Sequence, residues 1–265
     1  MPQDPPPPVG VDISRASPAR MFDYALGGHD NFEVDRIAAE SILKVAPSLR
    51  ELARHDRAFV HRAVRYLCDQ GIDQFIDIGS GLPTQENVHQ VAMRCNPQAR
   101  VVYVDNDPIV NAHGRALLGT SPTTAFVLAD AREPDAIMNA PETRGLIDFD
   151  RPVGVLMTGL LHFIADDQRP AEVVSQIASH LPSASGIAIV HVCRDHTQPA
   201  ALGQLEAVYQ NATAQIQIRS RAHIERLLAG MDLVPPGWVD VQDWRTSEDE
   251  QPGQVRALAA IGRVR

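Results

Sequence analysis

The chain has 265 residues, 44% hydrophobic and 22% charged, with 24 Lys+Arg against 33 Asp+Glu and a formal net charge of −9. That length supports a core without staples, and the acidity argues against a general nucleic-acid binder, which needs a basic surface to release counterions. Three cysteines, Cys68, Cys95 and Cys193, make no CxxC pair, so neither a disulfide framework nor a zinc site is expected.

No apolar run approaches the roughly 20 residues that cross a bilayer, and MPQDPPPPVG lacks the basic start and apolar stretch of a signal peptide. A cytoplasmic protein is expected, with no membrane and no nucleic-acid partner. Residues 1–12, with five of the 20 prolines, read as a disordered tail. Ser17-Pro18 starts a helix that stops at Gly27-Gly28. Two amphipathic helices follow near 35–45 and 48–69, parted by Pro47. In the second, Leu49, Leu52, Ala53, Phe59, Val60, Ala63, Val64 and Leu67 recur at helical spacing.

From residue 74 the pattern changes to short apolar runs. Strands are predicted within 74–78, at 101–105, 124–130, 153–159 and 186–192, with helices near 84–95, 108–118 and 169–181. That alternation is the signature of a parallel sheet covered on both faces. Helices near 199–214 and 220–229 and strands near 234–241 and 254–262 complete the chain. The expectation is one α/β domain over 13–265, with a helical cap at 13–70 on a Rossmann-like, doubly wound core at 71–265.

Three strand ends carry the chemistry. Asp77-Ile78-Gly79-Ser80-Gly81-Leu82-Pro83-Thr84 runs from a strand into a turn whose glycines permit tight bending and close approach to a ligand. Asp105 ends the second strand, where a carboxylate can accept a ribose diol; alone it reads equally as a helix cap, a job for which Asp107 competes. Asp130 follows the third strand, where a nucleoside base would lie, though a solvated loop carboxylate would look the same. A dinucleotide needs free amides at a G-x-G-x-x-G turn. Here Thr84 stands at the third glycine position, Pro83 removes an amide, and Asp77 favours an ammonium over a phosphate. The turn suits a nucleoside carrying an amino-acid tail, as in S-adenosylmethionine.

The blocks FIDIGSGLP, VVYVD and LAD resemble class I S-adenosylmethionine-dependent methyltransferases. The likeness extends to a mostly actinobacterial family of S-adenosyl methyltransferases of undefined substrate. It is carried by PARMFDYALGGHDNFEVDR (18–36), RAFVHRAVRYL (57–67), DIGSGLPTQENVHQVA (77–92), VVYVDNDPIV (101–110), LLHFI (160–164) and PPGWVDVQDWR (235–245). The resemblance implies a seven-stranded sheet whose last strand is antiparallel and lies between strands five and six. It further implies that Gly79, Ser80 and Gly81 line the methionyl portion and that Asp77 reaches the ammonium. Asp105 would hold the ribose, with Asn106 beside the adenine and Asp130 and Ala131 on its edge. Thr158 and Gly159 would approach the sulfonium, with Tyr24 and Asn31 as lid residues.

Methyl transfer from a sulfonium is mostly alignment and desolvation, and a base is needed only for a protonated, weakly nucleophilic acceptor. His162, after strand four, is the first candidate base. His191, inside strand five, reads as a satisfied core imidazole. His29 and Asp30 could face an acceptor or simply form a polar turn, and His89 reads as structural. The basic face Arg54, Arg57, Arg62 and Arg65 reads as solvated or paired, and Trp238 and Trp244 as packing. The leading expectation is a methyltransferase acting on a small-molecule acceptor with S-adenosylmethionine as cofactor and no metal. A non-catalytic cofactor sensor on the same fold is the alternative, and a nicotinamide oxidoreductase is disfavoured by the turn.

Overall fold

The computed structural model describes residues 12–83, 86–118, 121–246 and 253–265. Residues 1–11 of the expected tail, the helix start at 84 and the acidic residues 248–250 lie outside the described residues.

Three helices come first: α1 (Pro18–Ala25), α2 (Glu33–Leu43) and α3 (Leu49–Asp69). Pro18 opens α1 at a position where a missing N–H costs nothing. A buried ion pair joins α1 to α2. Arg20 Nε lies 2.8 Å from Asp35 Oδ2, with both side chains almost fully buried. Asp35 also accepts the backbone N–H groups of Ser17 and Phe32 at 2.9 Å each, and Arg20 donates to the carbonyls of Asp12 and Arg15.

The sheet is built from β1 (Gln74–Ile78), β2 (Arg100–Asp105), β3 (Thr124–Leu128), β4 (Gly154–Thr158), β5 (Gly186–Cys193), β6 (Asp232–Leu233), β7 (Val239–Asp240) and β8 (Arg256–Arg263). Its order is β3-β2-β1-β4-β5-β8-β6, with β7 also paired to β8. The first five strands run parallel, and β8 lies antiparallel against β5. The insertion of the last strand between the fifth and sixth is therefore as expected. The count differs: eight strands stand where seven were expected, because the predicted strand near 234–241 is two short pieces. Pro235 and Pro236 stand between them, where two missing N–H groups cannot continue a ladder.

Along each strand alternate residues enter opposite faces. Phe75, Val101, Leu156, Ala188 and Ala259 join the core with α3, α4 (Val88–Cys95) and α5 (Pro108–Leu118). Ile76, Val102, Met157, Ile189 and Ala260 join the other with α6 (Pro134–Met138) and α8 (Pro170–Ser179). This is the period of 2 that a doubly covered sheet requires. α6 and α7 (Pro141–Leu146) were not anticipated, being too short for a periodic signal. α9 (Pro199–Gln210) and α10 (Arg221–Glu225) end earlier than predicted.

The placement of α3 sets the roof over the strand ends. β4 and β5 both begin with glycine, and a Cβ at Gly154 or Gly186 would fall 3.1 Å or 2.5 Å from Leu67. The helix thus rests directly on the strand starts. Eleven residues back along a helix is about 16 Å, and five residues along a strand is about the same. α3 therefore reaches the far end of β4 with Asp56, whose Oδ2 lies 3.4 Å from where a Cβ on Gly159 would stand. Arg62 fastens the helix to the C-terminal segment, donating to the carbonyls of Trp244 and Val241 at 2.7 and 2.8 Å. Trp244 is fully buried, edge-on to Phe59 and Tyr66, and packs as expected.

Removing one partner of a buried pair strands the other charge. Asp35→Ala should lower the unfolding free energy by about 3–5 kcal/mol, read by urea titration; a loss below about 1 kcal/mol would show that the pair does not hold the cap together.

Candidate active site

The carboxyl ends of β1 to β5 open on one cavity of about 780 Å3, roofed by residues of α1, α2, α3 and α9. It lies where the sheet order turns, between β1 and β4, the crevice in which open α/β sheets hold ligands. Gly79, Ser80, Gly81, Asp105, Asn106, Asp130, Ala131, Thr158, Gly159 and His162 all line it.

The bend after β1 depends on two left-handed residues, Gly79 (φ 73°) and Gly81 (φ 63°). Gly79 and Ser80 both donate to the carbonyl of Val104, at 2.8 and 3.2 Å, which pins the turn onto β2. A Cβ at Gly79 would strike Leu160, whereas one at Gly81 would meet nothing within 4 Å. Ser80 Oγ is buried without a hydrogen-bond partner.

Asp105 accepts Gly81 N–H on Oδ2 and Asp107 N–H on Oδ1, both at 2.9 Å. Each oxygen keeps a lone pair for a further donor. Burial pushes its carboxyl up to about 6 despite those bonds. The competing role goes to Asp107, which caps α5 by accepting Ile109 N–H at 2.9 Å. Asp130 accepts the backbone N–H and Nε–H of Arg132 at 2.9 Å, and this pairing holds its carboxyl below the ordinary range. Asn106 is exposed and Ala131 buried.

Asp77 is buried but does not line the cavity. Burial pushes it up to about 7, with the Arg57 guanidinium opposing and the Asp105 carboxylate adding to the rise. Its influence on the cavity is that of a nearby charge rather than of a contact.

His162 sits on the 3-10 turn Leu161–Phe163 after β4, 6% exposed, with Nδ1 lacking a partner. Burial, then His191 and Arg219, drive its pKa well below the ordinary value, so the ring is neutral. Arg219 holds this loop, donating to the carbonyls of Leu161 and Ile164 at 2.9 and 2.6 Å and to Asp166 at 2.9 Å. Its Nη1 also donates to His191 Nε2 at 2.9 Å. A guanidinium only donates, so His191 carries its proton on Nδ1 and gives it to the Val192 carbonyl. His191 is the satisfied core imidazole that was expected.

Two expected lid residues lie elsewhere. Tyr24 donates its hydroxyl to Glu40 at 2.6 Å beneath Arg50, away from the cavity. Asn31 staples the Gly-Gly turn, donating to Asp23 Oδ2 and the Gly28 carbonyl. α1 lines the cavity with residues 18–23 and Ala25 instead, Met21, Phe22 and Asp23 among them. Neither His29 nor Asp30 lines the cavity, and Asp30 faces His113 at 3.6 Å.

Sequence reasoning missed Asp56 and Arg57 of α3, both in the cavity wall. A signal existed: position 56 continues the apolar stripe of residues 49, 52, 53, 60, 63 and 67, and a carboxylate there is out of pattern. Burial pushes Asp56 up to about 7, with the adjacent Arg57 pulling the other way. Buried polar atoms without hydrogen-bond partners gather around this cavity: Asp23 Oδ1, Asp56 Oδ1, Arg57 Nε, Ser80 Oγ and His162 Nδ1. Folded proteins satisfy nearly all such atoms, so their concentration marks a surface built for a polar guest.

Arg219→Met would leave two carbonyls and an imidazole nitrogen unpaired. It should cost about 3 kcal/mol or more and speed amide exchange over residues 161–168, and unchanged exchange there would contradict the clamp.

A family model described as S-adenosyl methyltransferase matches residues 6–265. A candidate methyltransferase from Thermobifida fusca YX superposes with a TM-score of 0.90 at 40% identity, covering 97% of this chain and 98% of that one. A DUF574 family protein from Streptomyces avermitilis MA-4680 also gives 0.90, at 34% identity over 95% and 98%. Human N-acetylserotonin methyltransferase, solved with S-adenosylmethionine, shares the fold at 16% identity and a TM-score of 0.51, over 95% of this chain and 63% of that one. No curated protein matches. Model and structures agree over nearly the full length: the chain belongs to the S-adenosyl methyltransferase family, enzymes that use S-adenosylmethionine.

Proposed function

We propose that the cavity binds S-adenosylmethionine across the ends of β1 to β4 and that its methyl group passes to a small-molecule acceptor by in-line displacement. The observation that carries this reading is the ring of unpartnered polar atoms and spare carboxylate lone pairs around one cavity. These residues fit the group. Open space over Gly81 admits a close-lying chain, Ser80 Oγ is an idle hydroxyl, and Asp105 has lone pairs for two ribose hydroxyls.

When bound, S-adenosylmethionine supplies a methyl carbon on a sulfonium whose leaving group is a neutral thioether. The chain contributes position and exclusion of water. Gly79, Ser80 and Gly81 hold the methionyl portion, and Asp77 adds negative potential toward its ammonium. Asp105 fixes the sugar. Asp130, kept ionised by Arg132, accepts the exocyclic amine, with Asn106 and Ala131 at the ring. Thr158 and Gly159 flank the reacting carbon. The helical cap excludes solvent, so that holding the reactants in line supplies much of the rate.

Asp105→Ala should weaken S-adenosylhomocysteine binding by about 1–3 kcal/mol, the scale of hydrogen bonds to a charged group; unchanged affinity in calorimetry would remove the ribose role. Affinity should also depend on pH. Asp77 and Asp105 are protonated in part below about 7 and about 6, whereas the ammonium and the hydroxyls favour their ionised forms. Binding therefore tightens as pH rises from 5.5 to 8, by about tenfold, and Asp77→Asn should flatten the upper part of that rise. A pH-independent affinity would contradict it.

A further inference from the structure

Beyond the strand ends, the cavity wall changes character. Ile42, Leu52, Leu205, Ile216 and Val255 line it; four of them belong to a third apolar cluster beside the two that sandwich the sheet, and Leu52 packs against both this cluster and the first. Tyr209, its ring 5.4 Å from that of Phe163, completes the wall. An apolar guest fits this part of the cavity. Asp56, one turn along α3 from Leu52, lies at the end of β4: its Oδ2 is 3.4 Å from the Cβ position of Gly159 and its Oδ1 is buried with no partner.

Resting on the function proposed above, we infer that Asp56 takes the proton of an acceptor hydroxyl, and hence that the acceptor is a largely apolar molecule methylated on oxygen. The hydroxyl proton passes to the Asp56 carboxylate while an oxygen lone pair forms the O–CH3 bond. The C–S bond breaks and its electrons remain on sulfur, leaving a methyl ether and S-adenosylhomocysteine. A carboxylate and a sulfonium both become neutral, which a poorly solvated cavity favours.

The arrangement argues for oxygen over nitrogen. A base is needed only where the acceptor holds a proton and attacks weakly without losing it, as an alcohol does. An ammonium would set a second positive charge beside the sulfonium, and a neutral amine needs no proton removed before attack. Asp56 is also better suited than His162, since burial opposes an imidazolium, whereas the Asp56 carboxyl, raised to about 7, is matched to neutral pH.

The test uses wild type, Asp56→Asn and Asp56→Ala, each saturated with S-adenosylhomocysteine and titrated with 2-naphthol, naphthalene and 2-naphthylmethylammonium. All three proteins should bind S-adenosylhomocysteine within about threefold of one another. Wild type should bind 2-naphthol at least about tenfold more tightly than naphthalene, the range of a hydrogen bond to a charged acceptor. That preference should fall to about threefold or less in Asp56→Asn and vanish in Asp56→Ala. Both variants should melt no lower than wild type, because a structural carboxylate would cost stability on removal and an unpaired buried one does not. The inference is overturned if the variants keep the preference, if wild type shows none or binds no probe, or if the ammonium binds best. Failure of wild type to bind S-adenosylhomocysteine would instead strike the function proposed above.

Discussion

The site depends on how closely α3 lies against the sheet, and that closeness depends on two missing side chains. Leu67 occupies the space over Gly186 that a Cβ would claim and shares the space over Gly154 with the nearer ring of Phe75. With that end of the helix fixed at the strand starts, its other end must overhang the strand tips about 16 Å away. The overhang converts an open crevice into a roofed one and brings a carboxylate of the helical cap beside Gly159. Cap and sheet therefore share one site, and neither forms it alone. The buried Arg20–Asp35 pair extends the same logic outward, fixing α1 to α2 so that Met21, Phe22 and Asp23 can form a wall.

The cavity and the shell behind it hold their charges under poor solvation. Asp56 and Asp77 at about 7, and Asp105 at about 6, are all raised first by burial. A fold selected for stability alone would pair or remove them. Their persistence beside partnerless Ser80 and His162 atoms suits a cationic ligand that supplies the missing interactions on arrival. Arg219 does the opposite work, saturating its bonds so that the loop after β4 holds its shape.

Most of the architecture was legible from local pattern. The Gly79–Gly81 bend, Asp105 and the strand-four end are short-range features whose geometry follows from strand-turn-helix chemistry, and they meet in one cavity. The split of the sixth strand was visible in Pro235-Pro236, yet the flanking apolar residues suggested continuity. What local pattern could not reveal was orientation across the helical cap. Tyr24 and Asn31 lie within a few residues of the cavity wall, but which way a helix turns its face depends on α2 and the Arg20–Asp35 pair, partners distant in sequence. Arg57 reads as part of a solvated or paired basic face because nothing adjacent marks the cavity beyond it. Asp56 was the recoverable omission, a carboxylate interrupting an otherwise apolar stripe.

The most direct test is a crystal structure of the chain with S-adenosylhomocysteine. The sugar hydroxyls should lie on Asp105, the amino-acid tail over Gly81 and the sulfur facing Gly159 below Asp56. A ligand bound outside the strand-end crevice, or one whose sugar leaves Asp105 untouched, would contradict that placement.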